Sequence, residues 1–236
     1  MRDQSASSAP SFSSTPRNPS HFGSYRQPPP AGSSETSSAS IGGYGTFGPG
    51  ALSFCSNDYL GLAARHAPAA PSGAGASRLI AGEREEHRRL ERALAAWLGV
   101  EDTLAFTSGY AANVGALAAV AGAGDLIVSD ALNHASLIDG ARLSRARVAV
   151  VPHDDAAAVA RALRERTEPR AWVVVESYYS MDADGPDLAQ LRAICDAESA
   201  GLYVDEAHAL GVLGPAGRGR CAEAGADNFV AGTAVY

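Results

Sequence analysis

From residue 103 onward, short apolar runs alternate with longer segments of helical period, and this alternation restricts the fold more than any other feature of the 236-residue chain. The runs at 103–107, 126–129, 148–151, 172–176, 202–205 and 229–232 read as buried strands. The segments 113–123, 155–166 and 187–200 between them read as helices. An earlier stretch, 83–98, places Leu90, Leu94, Trp97 and Leu98 at helical spacing among charges. Repeated strand–helix alternation predicts the α/β class, a mostly parallel sheet with helices on both faces. Ligands then belong at the carboxyl ends of the strands. The chain shows no internal repeat.

Residues 1–50 are built from Ser, Pro and Gly with almost no large aliphatic side chains, so they cannot offset the entropy of ordering and read as a disordered leader. They have no apolar segment of the secretory kind. Arg2, Arg17 and Arg26 in a Ser-rich, acid-poor stretch suit an organelle transit peptide, but no apolar face accompanies them. The formal charge of −7 argues against binding nucleic acid by phosphate neutralisation. No run of apolar residues is long enough for a membrane-spanning helix. Cys55, Cys195 and Cys221 lack metal-ligand spacing and read as reduced thiols of a cytoplasmic protein. All 19 basic residues are arginine, so the chain contains no lysine.

Four segments at strand ends carry side chains suited to chemistry. In Thr107-Ser108-Gly109-Tyr110 a strand gives way to a helix, whose free N–H groups and positive dipole end suit a phosphate, with Tyr110 against a ring. A plain Ser-Gly helix cap has the same sequence. Asn133-His134-Ala135-Ser136 sets a histidine where it can stack on a planar cofactor, transfer a proton, or simply bond within its loop. The third segment is Glu176-Ser177-Tyr178-Tyr179-Ser180-Met181-Asp182. The fourth is Asp205-Glu206-Ala207-His208, where an acid ends an apolar strand and needs a cation or protonated heterocycle if buried. His208 can face the same ligand, or Asp205 can cap a local turn. A helicase reading of the fourth segment requires a Walker A lysine, which is absent. The glycines of 73–78 follow no strand and do not form a dinucleotide loop.

In this order and spacing the segments resemble the α-oxoamine synthases, pyridoxal-phosphate enzymes of the fold-type I aminotransferase architecture. The resemblance covers about Leu52 to Thr233 and is carried by Ser56-Asn57-Asp58-Tyr59-Leu60-Gly61-Leu62, by Ser77-Arg78-Leu79-Ile80-Ala81-Gly82, by Asn133 through Gly140, and by Glu176 through Asp182. It implies a partial transferase large domain over 51–236, incomplete at its C-terminal end, in a homodimer. It implies that Ser108, Gly109 and Tyr110 help hold the phosphate of pyridoxal 5'-phosphate and that His134, the catalytic histidine, stacks on the pyridine ring. Ser180 and His208 would bond the phenolic oxygen side, and Thr233 would reach the phosphate. Asp205 would bond the ring nitrogen and keep it protonated, which makes the ring an electron sink. The match is nearest in style to the biotin-pathway branch, which condenses L-alanine with a pimeloyl thioester on coenzyme A or an acyl carrier protein and releases carbon dioxide. Other branches use glycine or serine.

In that family a lysine follows the Gly-Thr pair after two residues and forms the Schiff base. Here the sequence reads Gly232-Thr233-Ala234-Val235-Tyr236, with Tyr236 at the lysine's place, and a phenol forms no imine. The expectation is a chain inactive as it stands: an amino-terminal fragment of such an enzyme, or else a non-catalytic lysine-less partner subunit or pseudogene product. Two further departures stand out. The segment 63–72 contains Pro68 and Pro71 and cannot hold the helix expected there. The Ser/Pro leader replaces a helix that supplies a substrate-binding arginine in relatives.

Overall fold

A computed structural model of the chain describes residues 57, 59, 60, 73–225 and the backbone of 230–232. The leader over 1–50, the proline-containing segment 63–72, and the positions Thr233 and Tyr236 lie outside the described residues. After a π-helical turn at Arg78–Gly82, the elements are α1 (Glu85–Leu98), α2 (Gly109–Val120), β1 (Leu126–Asp130), α3 (Ala135–Ser144), β2 (Arg147–Val151), α4 (Ala156–Arg164), β3 (Ala171–Glu176), α5 (Leu188–Ala197), β4 (Gly201–Asp205), α6 (Gly219–Glu223) and β5 (Val230–Gly232). The five strands form one sheet in the order β2-β1-β3-β4-β5. Every pairing is parallel.

Both faces of β1, β3 and β4 are covered, which is why these strands read as unbroken apolar runs rather than alternating ones, while Val148 and Val150 of the edge strand β2 stay exposed. Leu126, Val128, Val173, Val175, Leu202 and Val204 on one face pack with Val159 and Leu163 of α4 and with Leu188, Leu191 and Cys195 of α5. Ile127, Val174 and Tyr203 on the other pack with Leu117 of α2 and with Leu137 and Ala141 of α3. The approach of α2 to α3 requires glycine at position 140, because a Cβ there would stand 2.9 Å from the Asn113 carbonyl oxygen and 3.0 Å from the Leu117 Cβ. Helix starts are set by side chains that accept otherwise unpaired N–H groups: Ser108 from Ala111, Asp155 from Ala158 and Asp187 from Gln190.

One expected strand is absent. Residues 103–107 carry no regular structure, and none of the described strands pairs with them. Their polar groups turn to α1 instead. The Ala105 N–H donates to Glu91 Oε1 at 2.8 Å, and the Thr103 hydroxyl donates to the Glu91 carbonyl at 2.8 Å. Arg78 ties this corner together, donating to both oxygens of Glu91 (2.9 and 3.0 Å) and to the Ala105 carbonyl (3.0 Å).

Candidate functional site

The order β2-β1-β3 makes the gap between β1 and β3 the point where the chain's winding reverses, and sheets of this kind bind ligands beyond the strand ends at that point. Three carboxylates stand at those ends: Asp130 on β1, Glu176 on β3 and Asp205 on β4, with Glu176 and Asp205 in register on adjacent strands. The chain leaving β1 runs through Asn133 and His134 into α3. The His134 N–H donates to Glu176 Oε1 at 2.6 Å and ties the chain beyond β1 to the end of β3.

Asp205 and His134 are joined by a buried relay. Asp205 Oδ2 accepts from Asn113 Nδ2 at 2.6 Å, and Asn113 Nδ2 also donates to Ser136 Oγ at 2.9 Å. Ser136 Oγ lies 2.7 Å from His134 Nδ1, and the Ser136 N–H donates to the same nitrogen at 3.2 Å. A backbone donor on Nδ1 leaves the proton of a neutral imidazole on Nε2. The Tyr203 hydroxyl donates to Asn113 Oδ1 at 2.8 Å, so every polar atom of the Asn113 amide is engaged. The Ala207 N–H donates to Asp205 Oδ1 at 2.8 Å, a turn of the Asx kind.

The phosphate-type feature sits on α2. Ser108 caps that helix, and the first backbone bond is Ala112 N–H to the Ser108 carbonyl, which leaves the N–H groups of Gly109 and Tyr110 ahead of the intrahelical ladder. Tyr110 is half exposed, and its hydroxyl donates to Asp139 Oδ2 at 2.5 Å, which fixes its ring against α3. His208 is partly buried with Nδ1 2.8 Å from the Tyr59 hydroxyl. Ser180 stands exposed in the turn after β3 and makes no hydrogen bond among the described residues. The relay thus unites His134 and Asp205, while His208 and Ser180 stand apart from it.

Burial pushes the Asp205 carboxyl above the ordinary carboxylate range, against the opposing hydrogen bonds from Asn113 and Ala207. A cation beside it would relieve that cost. Burial also lowers the His208 imidazole, with Asp205 opposing. Glu176 is pushed up to about 7, first by burial and then by the neighbouring Asp205 and Asp130 charges, while the His134 N–H pulls the other way. A carboxyl raised in the folded state keeps its proton after the unfolded chain has lost its own, so stability falls as pH rises from about 4.5 to about 7. Glu176→Gln keeps an acceptor for His134 without the charge. It should match the parent near pH 4 and exceed it above pH 7 by up to about 3 kcal/mol in urea unfolding. Equal stability at both pH values would contradict this assignment.

Asn113 is the site residue that sequence reasoning missed, since an asparagine inside an apolar helix carries no signal of its partners on other elements. Burial pushes the Cys195 thiol up to about 12 and raises Cys221 as well, which removes both from nucleophilic roles. Among the described residues no cluster suits a metal ion, and no helix is long and apolar enough to cross a membrane.

A parallel sheet with Asp205 at the end of β4, His134 beyond the end of β1 with β3 between them, and an open N-terminus on α2 marks the α/β class whose ligands sit at the carboxyl ends of the strands. The chain belongs to the aminotransferase class I and II family, whose model matches residues 49–234. Its relatives include the 8-amino-7-oxononanoate synthase of Mycolicibacterium smegmatis, 52% identical over 184 residues covering 74% of this chain and 48% of the relative. The synthase of that name from Azoarcus sp. is 46% identical over 187 residues, 75% of this chain and 48% of the relative. Among solved structures, Sphingomonas wittichii serine palmitoyltransferase matches at TM-score 0.65 and 35% identity, over 68% of this chain and 41% of that one. Francisella tularensis 8-amino-7-oxononanoate synthase matches at TM-score 0.54 and 26% identity, over 63% and 44%. These relatives bear out the resemblance to the α-oxoamine synthases. The chain spans about half the length of the curated relatives it matches.

Proposed function

We propose that this chain is part of an enzyme of 8-amino-7-oxononanoate synthesis, the decarboxylative condensation of L-alanine with a pimeloyl thioester in biotin formation, which works as a cytoplasmic homodimer using pyridoxal 5'-phosphate, and that the 236 residues without a lysine do not catalyse it themselves. The observation that carries the reading is the Asp205–Asn113–Ser136–His134 relay at the sheet's carboxyl end, in a chain about half identical to synthases of that activity. The residues fit the cofactor. A buried carboxylate whose charge is disfavoured is matched by a protonated ring nitrogen, and two N–H groups ahead of α2 suit a phosphate.

In this reading Asp205 binds the ring nitrogen and keeps it protonated, His134 stacks on the ring, and Ser108, Gly109 and Tyr110 hold the phosphate. Ser180 and His208 approach the phenolic oxygen, and Thr233 the phosphate. The bound cofactor supplies an electron sink for the carbanion at the amino acid's α-carbon. Asn113 keeps the Asp205 carboxylate oriented, and Ser136 fixes the tautomer and the plane of His134. The 236 residues contain no lysine, so the covalent anchor of the family is not among them, and the roles proposed here are non-covalent.

A serine-using activity is the second reading, favoured by the higher TM-score of the serine palmitoyltransferase. The test is growth of a strain that lacks 8-amino-7-oxononanoate synthesis, carrying this sequence repaired to a full-length gene with the family's lysine. Growth without biotin is the expected result, and none from the 236 lysine-free residues alone. Failure of the repaired gene to support growth, with its purified product converting serine and a long-chain acyl thioester, would support the second reading and end the first.

A further inference from the structure

His153, just beyond β2, plays no part in the site described so far, yet both of its ring nitrogens face carboxylates. Nδ1 lies 3.0 Å from Asp130 Oδ1, and Nε2 lies 3.2 and 3.3 Å from the two oxygens of Asp184. Asp130 is buried and held in place, accepting the Leu132 N–H at 2.8 Å and the Asp154 N–H at 3.0 Å. Asp184 belongs to the turn after β3 and is half exposed. The His153 ring meets the Tyr179 ring edge to face, with centroids 4.5 Å apart.

The turn has little else to hold its middle. Met181 is 91% exposed, Ser180 is exposed, and Ala183 sits at φ 59°, a conformation that an alanine adopts at a cost. Two backbone bonds close it: Tyr179 N–H to the Asp184 carbonyl (2.8 Å) and Ala183 N–H to the Tyr179 carbonyl (2.9 Å). Its flanks are pinned separately, by Arg220 donating to the Ser177 and Pro186 carbonyls.

We propose that His153 is a positioning residue, a latch that joins the end of β1 to the 177–184 turn and so holds Ser180 in place. A neutral imidazole carries one N–H and cannot donate to Asp130 and Asp184 together, whereas the imidazolium satisfies both. The latch is therefore closed in the charged form. Burial works against that form, but the hydrogen bonds and charges of Asp130 and then Asp184 outweigh it and raise the ring's pKa above the ordinary histidine value. The groups facing the ring are Asp130 from β1, Asp184 and Tyr179 from the turn, and Glu176 at the end of β3, whose carboxyl also feels the ring's charge. With a raised folded-state pKa, the latch holds at low pH and opens as pH rises through the ring's titration. Opening frees the Asp184 side, because Asp130 stays buried and bonded. That the held turn presents Ser180 to a cofactor rests on the function proposed above. The latch itself does not, and its test reads the latch alone.

The experiment is amide hydrogen exchange by mass spectrometry on the 236-residue chain, its Asp184→Ala variant and its His153→Gln variant, across the histidine range and normalised to intrinsic rates. In the parent, protection of 178–184 should fall roughly tenfold or more as pH rises, the loss expected for one charge-assisted hydrogen bond. In both variants it should be low at every pH, with 171–176 still protected. Protection of the turn that ignores pH in the parent, survives Asp184→Ala, or is lost together with 171–176 in both variants would overturn the proposal.

Discussion

Asn113→Leu should destabilise the chain by about 3–5 kcal/mol, although leucine fits the volume and suits a helix better than asparagine. The side chain is 2% exposed and serves three buried partners at once: Asp205 at 2.6 Å, Ser136 at 2.9 Å and the Tyr203 hydroxyl at 2.8 Å. Leucine leaves a buried carboxylate and two hydroxyls short of a partner, and each loses its solvation without replacement. Burial already disfavours the Asp205 charge, so removing a bond that offsets burial adds to a cost the fold carries. Tyr203→Phe added to Asn113→Leu should recover roughly 1 kcal/mol, because it removes one of the stranded hydroxyls. Urea unfolding of the parent, the single variant and the double variant measures all three. A single variant within about 1 kcal/mol of the parent would show that the relay does not bear on the fold.

The strand ends were readable in the sequence for a physical reason. A strand covered on both faces must be apolar throughout, so the polar residue that ends it marks the rim of the sheet, as Asp205 does after Gly201-Leu202-Tyr203-Val204. The same logic located Asp130 and Glu176. It failed at 103–107, where an apolar run of strand length turns its Ala105 N–H to a side chain of α1, a tertiary choice invisible to periodicity. It also passed over α3, whose apolar period is broken by Asp139 and by Gly140, the residue that the approach of α2 demands. The site was half readable. His134 and Asp205 stood out by residue type and position, but Asn113 is 92 positions from Asp205, and only folding brings them together. Glu206, read as one letter of a four-residue motif, is buried and accepts the N–H groups of Arg220 and Cys221 and the Ser177 hydroxyl, so it holds the chain after β4 in place.

Asp205→Asn should weaken binding of pyridoxal 5'-phosphate to the chain by roughly tenfold or more, since the amide offers no charge to a protonated ring nitrogen; its oxygen can still accept from Ala207, while its NH2 falls where the carboxylate accepted from Asn113. The substitution removes a buried charge that the fold disfavours together with the Asn113 bond that offsets its burial, so the two changes oppose each other in stability. Affinity lost by a variant that circular dichroism shows folded separates a binding role from a structural one. Equilibrium dialysis of pyridoxal 5'-phosphate against the 236-residue chain and its Asp205→Asn variant is the most direct measurement, with inorganic phosphate as competitor and circular dichroism as the check on folding. One saturable site per parent chain, displaced by phosphate and weakened in the variant, is the expected result; absence of that site, or equal affinity in the two proteins, would contradict the role given to Asp205.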